Sequence, residues 1–298
     1  MASLCVFAPA KINLSLAVTG RRDDGFHELV SLVAPLDWGD TLWLETAHDA
    51  MADTLHCDHP GVPTDASNLV LKAAAAFRRH QKTGAPFVHF ILQKSVPAGA
   101  GLGGGSSDAA AALRGLNQLA AQPLKMDQLR ACAAEVGSDV PLFLEGTAVV
   151  MRGRGEINDP LPMAARDVLW GRELLIFKPP FGVPTAWAYR QLREHGAAWY
   201  VPTAKAEEAL AQWLAQPTWE TLPLGNNLER PVFEKYVALP VLLDELRQKY
   251  RLRCRMSGSG SACFALLEPA SPQVAIEQTI REAWGAETVI RAVRLASH

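Results

Sequence analysis

Several things are missing from this sequence, and each absence narrows the field. The five cysteines, Cys5, Cys57, Cys132, Cys254 and Cys263, are odd in number and never spaced C-x-x-C. That pattern excludes a disulfide framework and points to free thiols in a reducing compartment. No apolar run approaches the ~20 residues of a spanning helix, because the alanine-rich stretches are broken by Asp108 and Arg114. The N-terminus has no basic leading segment and Lys11 interrupts its apolar residues, so no secretory signal is expected. Excess charge is absent too: 29 Lys+Arg stand against 31 Asp+Glu, which excludes a protein held on nucleic acid by bulk phosphate attraction. With 49% hydrophobic and 20% charged residues, the 298-residue chain carries enough apolar material for a sizeable core and a prior of about two domains. The expectation is a cytoplasmic protein, monomer or homodimer, that recognises a small molecule locally, with no nucleic acid and no membrane as partner.

Periodicity gives a coarse map. Alternating segments at 12–19, 28–36 and 41–45, with turn signals at 20–25 and 38–40, read as a β-meander. A helix is expected over 67–80 behind an Asp65 or Ser67 cap, then a strand at 87–94. Helices follow at 106–119 and 127–136, and a strand at 146–151. The Gly- and Pro-containing stretch 152–166 reads as a loop and a domain boundary, giving domains 1–155 and 156–298. Beyond it come a strand (173–178), helices (185–194, 205–215, 239–250), a strand (262–267), a helix (272–284) and a last strand (289–293). Meander, helices and mixed strands together suggest an α+β fold rather than a doubly wound parallel sheet.

The densest chemical signal is Pro97-Ala98-Gly99-Ala100-Gly101-Leu102-Gly103-Gly104-Gly105-Ser106-Ser107, lying between a strand and a helix start. Glycines let the backbone approach a ligand and adopt positive φ, and successive N–H groups at a helix N-terminus attract anionic oxygens. A phosphate cradle is one reading and a flexible connector the other. The loop also satisfies G-x-G-x-x-G at Gly99, Gly101 and Gly104, but position 124 is Leu where a dinucleotide site needs an acidic residue about 20 positions on. A Walker A loop is excluded, since G-x-x-x-x-G-K-[ST] occurs nowhere. His56-Cys57-Asp58-His59 is read as a polar loop, because four adjacent side chains do not converge on one tetrahedral ion.

Three separated segments resemble the motifs of the GHMP kinase superfamily: Ala8-Pro9-Ala10-Lys11-Ile12-Asn13-Leu14, then Pro97 through Ala111, then Met256-Ser257-Gly258-Ser259-Gly260-Ser261-Ala262-Cys263-Phe264. Within it the chain is most similar to the 4-diphosphocytidyl-2-C-methyl-D-erythritol kinases, through the stretch from Gly20 to His27 and Gly137-Ser138-Asp139-Val140-Pro141-Leu142-Phe143. Two further stretches support this, the segment from Lys178 to Ala186 and Gly225-Asn226-Asn227-Leu228-Glu229. The resemblance covers about residues 6–266. It implies a two-domain α+β fold of mixed and antiparallel sheets with the active site in the interdomain cleft. The implied activity is ATP-dependent phosphorylation, with Mg2+, of the 2-hydroxyl of 4-diphosphocytidyl-2-C-methyl-D-erythritol in the non-mevalonate isoprenoid pathway.

The same resemblance assigns roles residue by residue. Asp139 is implied as the general base and Lys11 as the ammonium beside it, while residues 97–107 bind ATP. Asn13, Phe26, His27, Thr185 and Tyr189 are implied to bind the acceptor, with Phe26 and Tyr189 flanking cytosine. Leu69 and Lys94 are candidates for the adenine pocket, and metal ligands stay unassigned. Judged by local chemistry alone, Asp139 two residues before Pro141 is equally a helix cap, Lys11 an edge-strand lysine, and Phe26 and Tyr189 core aromatics. Two positions depart from the family pattern: Asn227 stands where many relatives have aspartate, and Asp108 where some have asparagine. Solvent exposure on the outer face of the helix is the expected accommodation of Asp108. The competing functions are another GHMP small-molecule kinase of homoserine or mevalonate type, a non-catalytic nucleotide-binding module, and, more distantly, a redox enzyme using the G-x-G-x-x-G loop.

Overall fold

The structure, a computed structural model, describes residues 3–47, 49–81 and 85–296. Two long strands dominate the N-terminal part, β1 (Ser3–Arg21) and β2 (His27–Thr46). Both contribute residues to each of two compact units. The first unit holds the chain up to Ala10, Trp38–Ala98 and Gly103–Gly146; the second holds Lys11–Asp37, Gly99–Leu102 and the chain from Thr147 onward. The turn expected at 38–40 is absent, and β2 runs straight through it. A Cβ on Gly39 would lie 2.2 Å from the Ala8 carbonyl oxygen, so the glycine there permits close strand approach instead of a reversal.

In the first unit β3 (Thr54–Cys57) pairs parallel with β4 (Val88–Gln93), which pairs antiparallel with the C-terminal half of β2. β3 occupies part of the segment read as a polar loop, and on a strand His56 and Cys57 point to opposite faces. Helices α1 (Leu69–His80), α2 (Gly104–Leu119), α3 (Met126–Val136) and the short α4 (Leu142–Glu145) complete this unit. α1 is capped by neither Asp65 nor Ser67: the Asn68 side chain accepts the Val70 N–H at 2.8 Å. Its inward face carries Val70, Ala73, Ala74, Ala76 and Phe77. On α2 the run Ala109–Leu113 is wholly buried. Small side chains let this helix sit close to the sheet, and a Cβ on Gly115 would approach Leu44 Cδ2 to 2.7 Å. Burying Phe77, Phe90, Leu42, Leu44 and Leu92 contributes about 1.5–3 kcal/mol each.

In the second unit, beside its parts of β1 and β2, lies an antiparallel hairpin, β5 (Val149–Gly153) and β6 (Ile157–Pro160), whose first strand pairs antiparallel with β2. The stretch 152–166 is therefore not a loop: it carries β6 and the start of α5 (Met163–Leu169). β7 (Glu173–Lys178), α6 (Thr185–Glu194) and α7 (Thr203–Ala215) follow. The two-residue β8 (Gly225–Asn226) pairs parallel with β1 at Ser15 and Leu16. Then come α8 (Glu229–Lys235), α9 (Ala238–Tyr250), β9 (Cys254–Met256), β10 (Cys263–Leu266), α10 (Gln273–Trp284) and β11 (Val289–Arg294). A four-stranded antiparallel sheet runs β11-β7-β10-β9. Its central strand β7 buries Leu174, Leu175, Ile176 and Phe177 in succession, as a strand covered on both faces should. Among the described residues no helix is long and apolar enough to cross a membrane.

Candidate active site

The three glycine- and lysine-bearing motifs meet through hydrogen bonds within the second unit. Lys11 and Asn13 share one face of β1 because strand side chains alternate. Lys11 Nζ donates to Asn13 Oδ1 at 2.6 Å and to the Gly101 carbonyl at 3.0 Å. Asn13 N donates to Ser257 Oγ at 3.2 Å, and that hydroxyl donates to the same Gly101 carbonyl. Asn13 Nδ2 reaches Ser31 Oγ on β2 at 2.8 Å. Lys11 is 5% and Asn13 3% exposed, so Lys11 is not the surface lysine that local chemistry alone offers. Burying an ammonium without partners is costly, and here two oxygens face it.

The segment Gly99–Leu102 is laced to both flanking motifs. Lys11 N donates to the Leu102 carbonyl at 2.9 Å, and Ala262 N donates to the Ala100 carbonyl at 3.1 Å. Gly101 has φ +79°, and a Cβ there would sit 2.4 Å from the Ser257 carbonyl oxygen, so no other residue fits without movement. The third motif is the β9–β10 turn, and it is scaffolded from below. Asn226 Nδ2 donates to the carbonyls of Met256 and Gly258 at 2.9 and 2.7 Å, and Glu229 accepts the Met256 N–H at 2.9 Å. Thr185, at the start of α6, joins it through its hydroxyl, 2.8 Å from Ser259 Oγ.

In the first unit the same loop ends at Gly103, which caps α2 with φ 72°. Gly104, Gly105 and Ser106 open that helix, where N–H groups lack intrahelical partners and the dipole favours an anion. Leu69 and Lys94 both lie against it: a Cβ on Gly105 would be 3.7 Å from Leu69 Cδ1, and one on Gly104 would be 3.3 Å from Lys94 Nζ. Asp108 overturns its expected exposure. It is 3% exposed, and its Oδ2 accepts from Lys94 Nζ at 2.8 Å. Lys94 also donates to Asp40, whose other oxygen accepts the N–H groups of Ser95 and Val96. One ammonium thus serves two buried carboxylates. Burial is the main cause that pushes Asp108 up to about 7, against the pull of Lys94 and with the push of Asp40. Asp108 Oδ1 and Ser107 Oγ are buried with no hydrogen-bond partner among the described residues.

Asp139 lies half-buried in the turn between α3 and α4, also in the first unit. The cap role open to it is not taken up: α4 has Pro141 at its N-cap position and no side-chain cap bond.

Phe26 and His27 stand at the start of β2 after a turn closed by Arg22 N to the Phe26 carbonyl at 2.8 Å. Phe26 is 50% exposed, which removes it from the core. His27 packs against Tyr189, with ring centroids 5.0 Å apart, so these two predicted residues are brought together. Burial, then the charges of Arg193 and Arg21, hold the His27 imidazole below its usual range and favour its neutral form. Its Nε2 is buried with no hydrogen-bond partner among the described residues, as is the hydroxyl of Tyr200, whose ring lies 6.0 Å from His27. Tyr200 was missed by sequence reasoning, as were Asp40 and Asn226. A buried hydroxyl with no hydrogen-bond partner among the described residues and a ring beside His27 mark Tyr200, and both are invisible before folding.

Comparisons with known proteins bear directly on this geometry. Residues 68–147 match the GHMP kinases N terminal domain and residues 204–286 the GHMP kinases C terminal family. The chain is 40% identical over 270 residues to the 4-diphosphocytidyl-2-C-methyl-D-erythritol kinase of Methylacidiphilum infernorum, covering 90% of this chain and 87% of that one. It belongs to that kinase family. A chloroplastic relative of the same name from Oryza sativa is 36% identical over 278 residues, 90% of this chain and 66% of that one. Among solved structures, a 4-(cytidine 5'-diphospho)-2C-methyl-D-erythritol kinase matches with a TM-score of 0.75 and 34% identity, covering 98% of this chain and 100% of that one. A homoserine kinase from Cytophaga hutchinsonii matches with a TM-score of 0.70 at 21% identity, over 99% of this chain and 95% of that one, which shows the shared fold alone. The fold is thus the α+β, two-domain GHMP kinase fold.

Proposed function

We propose that the protein transfers the γ-phosphoryl group of ATP to the 2-hydroxyl of 4-diphosphocytidyl-2-C-methyl-D-erythritol. The observation that carries this reading is the network in which Lys11 and Asn13, Gly101, and Ser257 from three distant segments share hydrogen bonds. Such convergence supports a site for an alcohol and a phosphate, because it holds a cation and an amide beside a glycine loop whose amides suit anionic oxygens.

In this reading the loop 97–107 and the start of α2 hold the triphosphate. Transfer needs little covalent chemistry from the protein, so alignment and charge stabilisation dominate. Asp139 is the general base that takes the acceptor's hydroxyl proton, and Lys11 steadies the negative charge that develops on that oxygen. Asn13 orients the acceptor. Phe26, His27, Thr185 and Tyr189 bind its cytidine end, where a neutral imidazole offers one donor and one acceptor to a base edge. Magnesium, when bound with ATP, neutralises phosphate charge. Among the described residues no three His, Cys, Asp or Glu side chains cluster as a metal site.

The test is a coupled ADP-release assay with the cytidine diphosphate acceptor, homoserine and mevalonate offered in turn. Turnover confined to the first is expected, and equal or greater turnover with either of the others overturns the assignment.

A further inference from the structure

The hairpin β5–β6 places one residue that no motif accounts for. Its register with β2 sets Gly153 opposite Leu29, so the hairpin tip lies beside the segment that carries Phe26 and His27. Gly153 has φ +68°, and a Cβ there would fall 2.5 Å from Glu156 Oε2. That carboxylate accepts the Arg154 N–H at 2.6 Å, closing the tip into one shape. The Arg154 side chain is thereby laid over the Phe26 ring, with its guanidinium carbon 4.9 Å from the centroid. Two nearby arginines are ion-paired, Arg22 with Asp24 and Glu28 and Arg152 with Asp159 and Glu207, whereas Arg21 and Arg193, whose charges act on His27, form no ion pair among the described residues. Arg154 forms no ion pair among the described residues; Asp24 is held below the usual carboxylate range by the Phe26 N–H it accepts, then by Arg22, with the charge of Arg154 the smallest contribution.

An aromatic ring left half exposed, with one face covered by an unpaired guanidinium, is built for a ligand that is both planar and anionic. We propose that Arg154 is a specificity-determining residue of the acceptor site, bracing Phe26 for the nucleobase and meeting the phosphate oxygens of the cytidine diphosphate. This rests on the acceptor assigned above. Guanidinium suits both tasks, since it stacks on aromatic faces and keeps its in-plane N–H donors free for phosphate.

The test replaces Arg154 with Ala and with Lys, and Phe26 with Leu, alone and combined with Arg154→Ala. Calorimetric titration with CDP, without ATP, reads binding; steady-state kinetics read turnover. Arg154→Ala is expected to raise the CDP Kd and the acceptor KM about tenfold, with kcat changed less than about twofold and the KM for ATP unmoved. Arg154→Lys should recover part of the loss, and the double variant should be little worse than either single one. Unchanged CDP affinity in Arg154→Ala, or fully additive losses in the double variant, overturns the inference, as does a wild-type protein that binds no CDP. Weakened CDP binding in Arg154→Ala alongside a wild type that transfers no phosphate would uphold the inference and remove the kinase reading instead.

Discussion

Replacing Asp108 with Asn should change how stability depends on pH, and the geometry sets the size of the effect. Asp108 is buried beside Asp40 with a single ammonium, Lys94, between them, and one of its oxygens has no partner among the described residues. Its folded pKa is about 7 against an ordinary value of 3.8. The folded chain therefore keeps a proton on this group that the unfolded chain releases. The stabilising contribution is full below pH ~4 and is lost as pH rises to about 7, at about 1.4 kcal/mol per pH unit. About 4 kcal/mol bounds the total. Asparagine resembles the protonated acid and titrates nowhere in this range. Asp108→Asn should match the wild type near pH 4 and gain on it with rising pH, by roughly 2–3 kcal/mol between pH 5 and pH 8, then level off. Urea unfolding of both proteins at pH 5, 6, 7 and 8 measures the difference directly. Parallel curves, or an advantage that shrinks as pH rises, would refute the reasoning and show that Lys94 outweighs burial.

Three other perturbations test separate parts of the structure. Asp139→Ala should lower kcat by about 10²–10⁴-fold while ATP still raises the melting temperature; unchanged turnover removes Asp139 from the mechanism. Asn227 Nδ2 donates to the carbonyls of Val18 and Trp199 at 2.9 Å each, while its Oδ1 accepts the Val18 N–H at 2.8 Å. Asn227→Asp sets a carboxylate oxygen against those two carbonyls, so about 2 kcal/mol of stability should be lost at pH 7, read by denaturant midpoint. Gly101→Ala meets both a positive φ and a backbone oxygen 2.4 Å away, so a loss of about 2–4 kcal/mol is expected, with a raised KM for ATP if the loop shifts.

Much of this protein was legible before any coordinates, for identifiable reasons. Short-range rules set β7, α6 and α10, whose alternation or helical spacing is strong, and the glycine run was visible as a place where only backbone fits. The motif order sufficed for the family because Lys11, the glycine loop and Ser257-Gly258-Ser259 are each constrained by close backbone approach. What sequence reasoning lost was whatever depends on a neighbour far along the chain. Gly39 carries the mark of a turn, and only the Ala8 backbone beside it makes it a strand glycine. A strand at 146–151 was legible and became β5, whereas β6 was masked by the Gly and Pro content of 152–166, and pairing with β5 overrode that local signal. Asp108 sits on a helix whose exposed and buried faces both accept short residues. Its burial is decided by Lys94, supplied by the end of a strand, and by Asp40 from another. Charge, sign and residue type belong to the sequence; which charges share a low-dielectric interior belongs to the tertiary structure, since that depends on distance and on the exclusion of water.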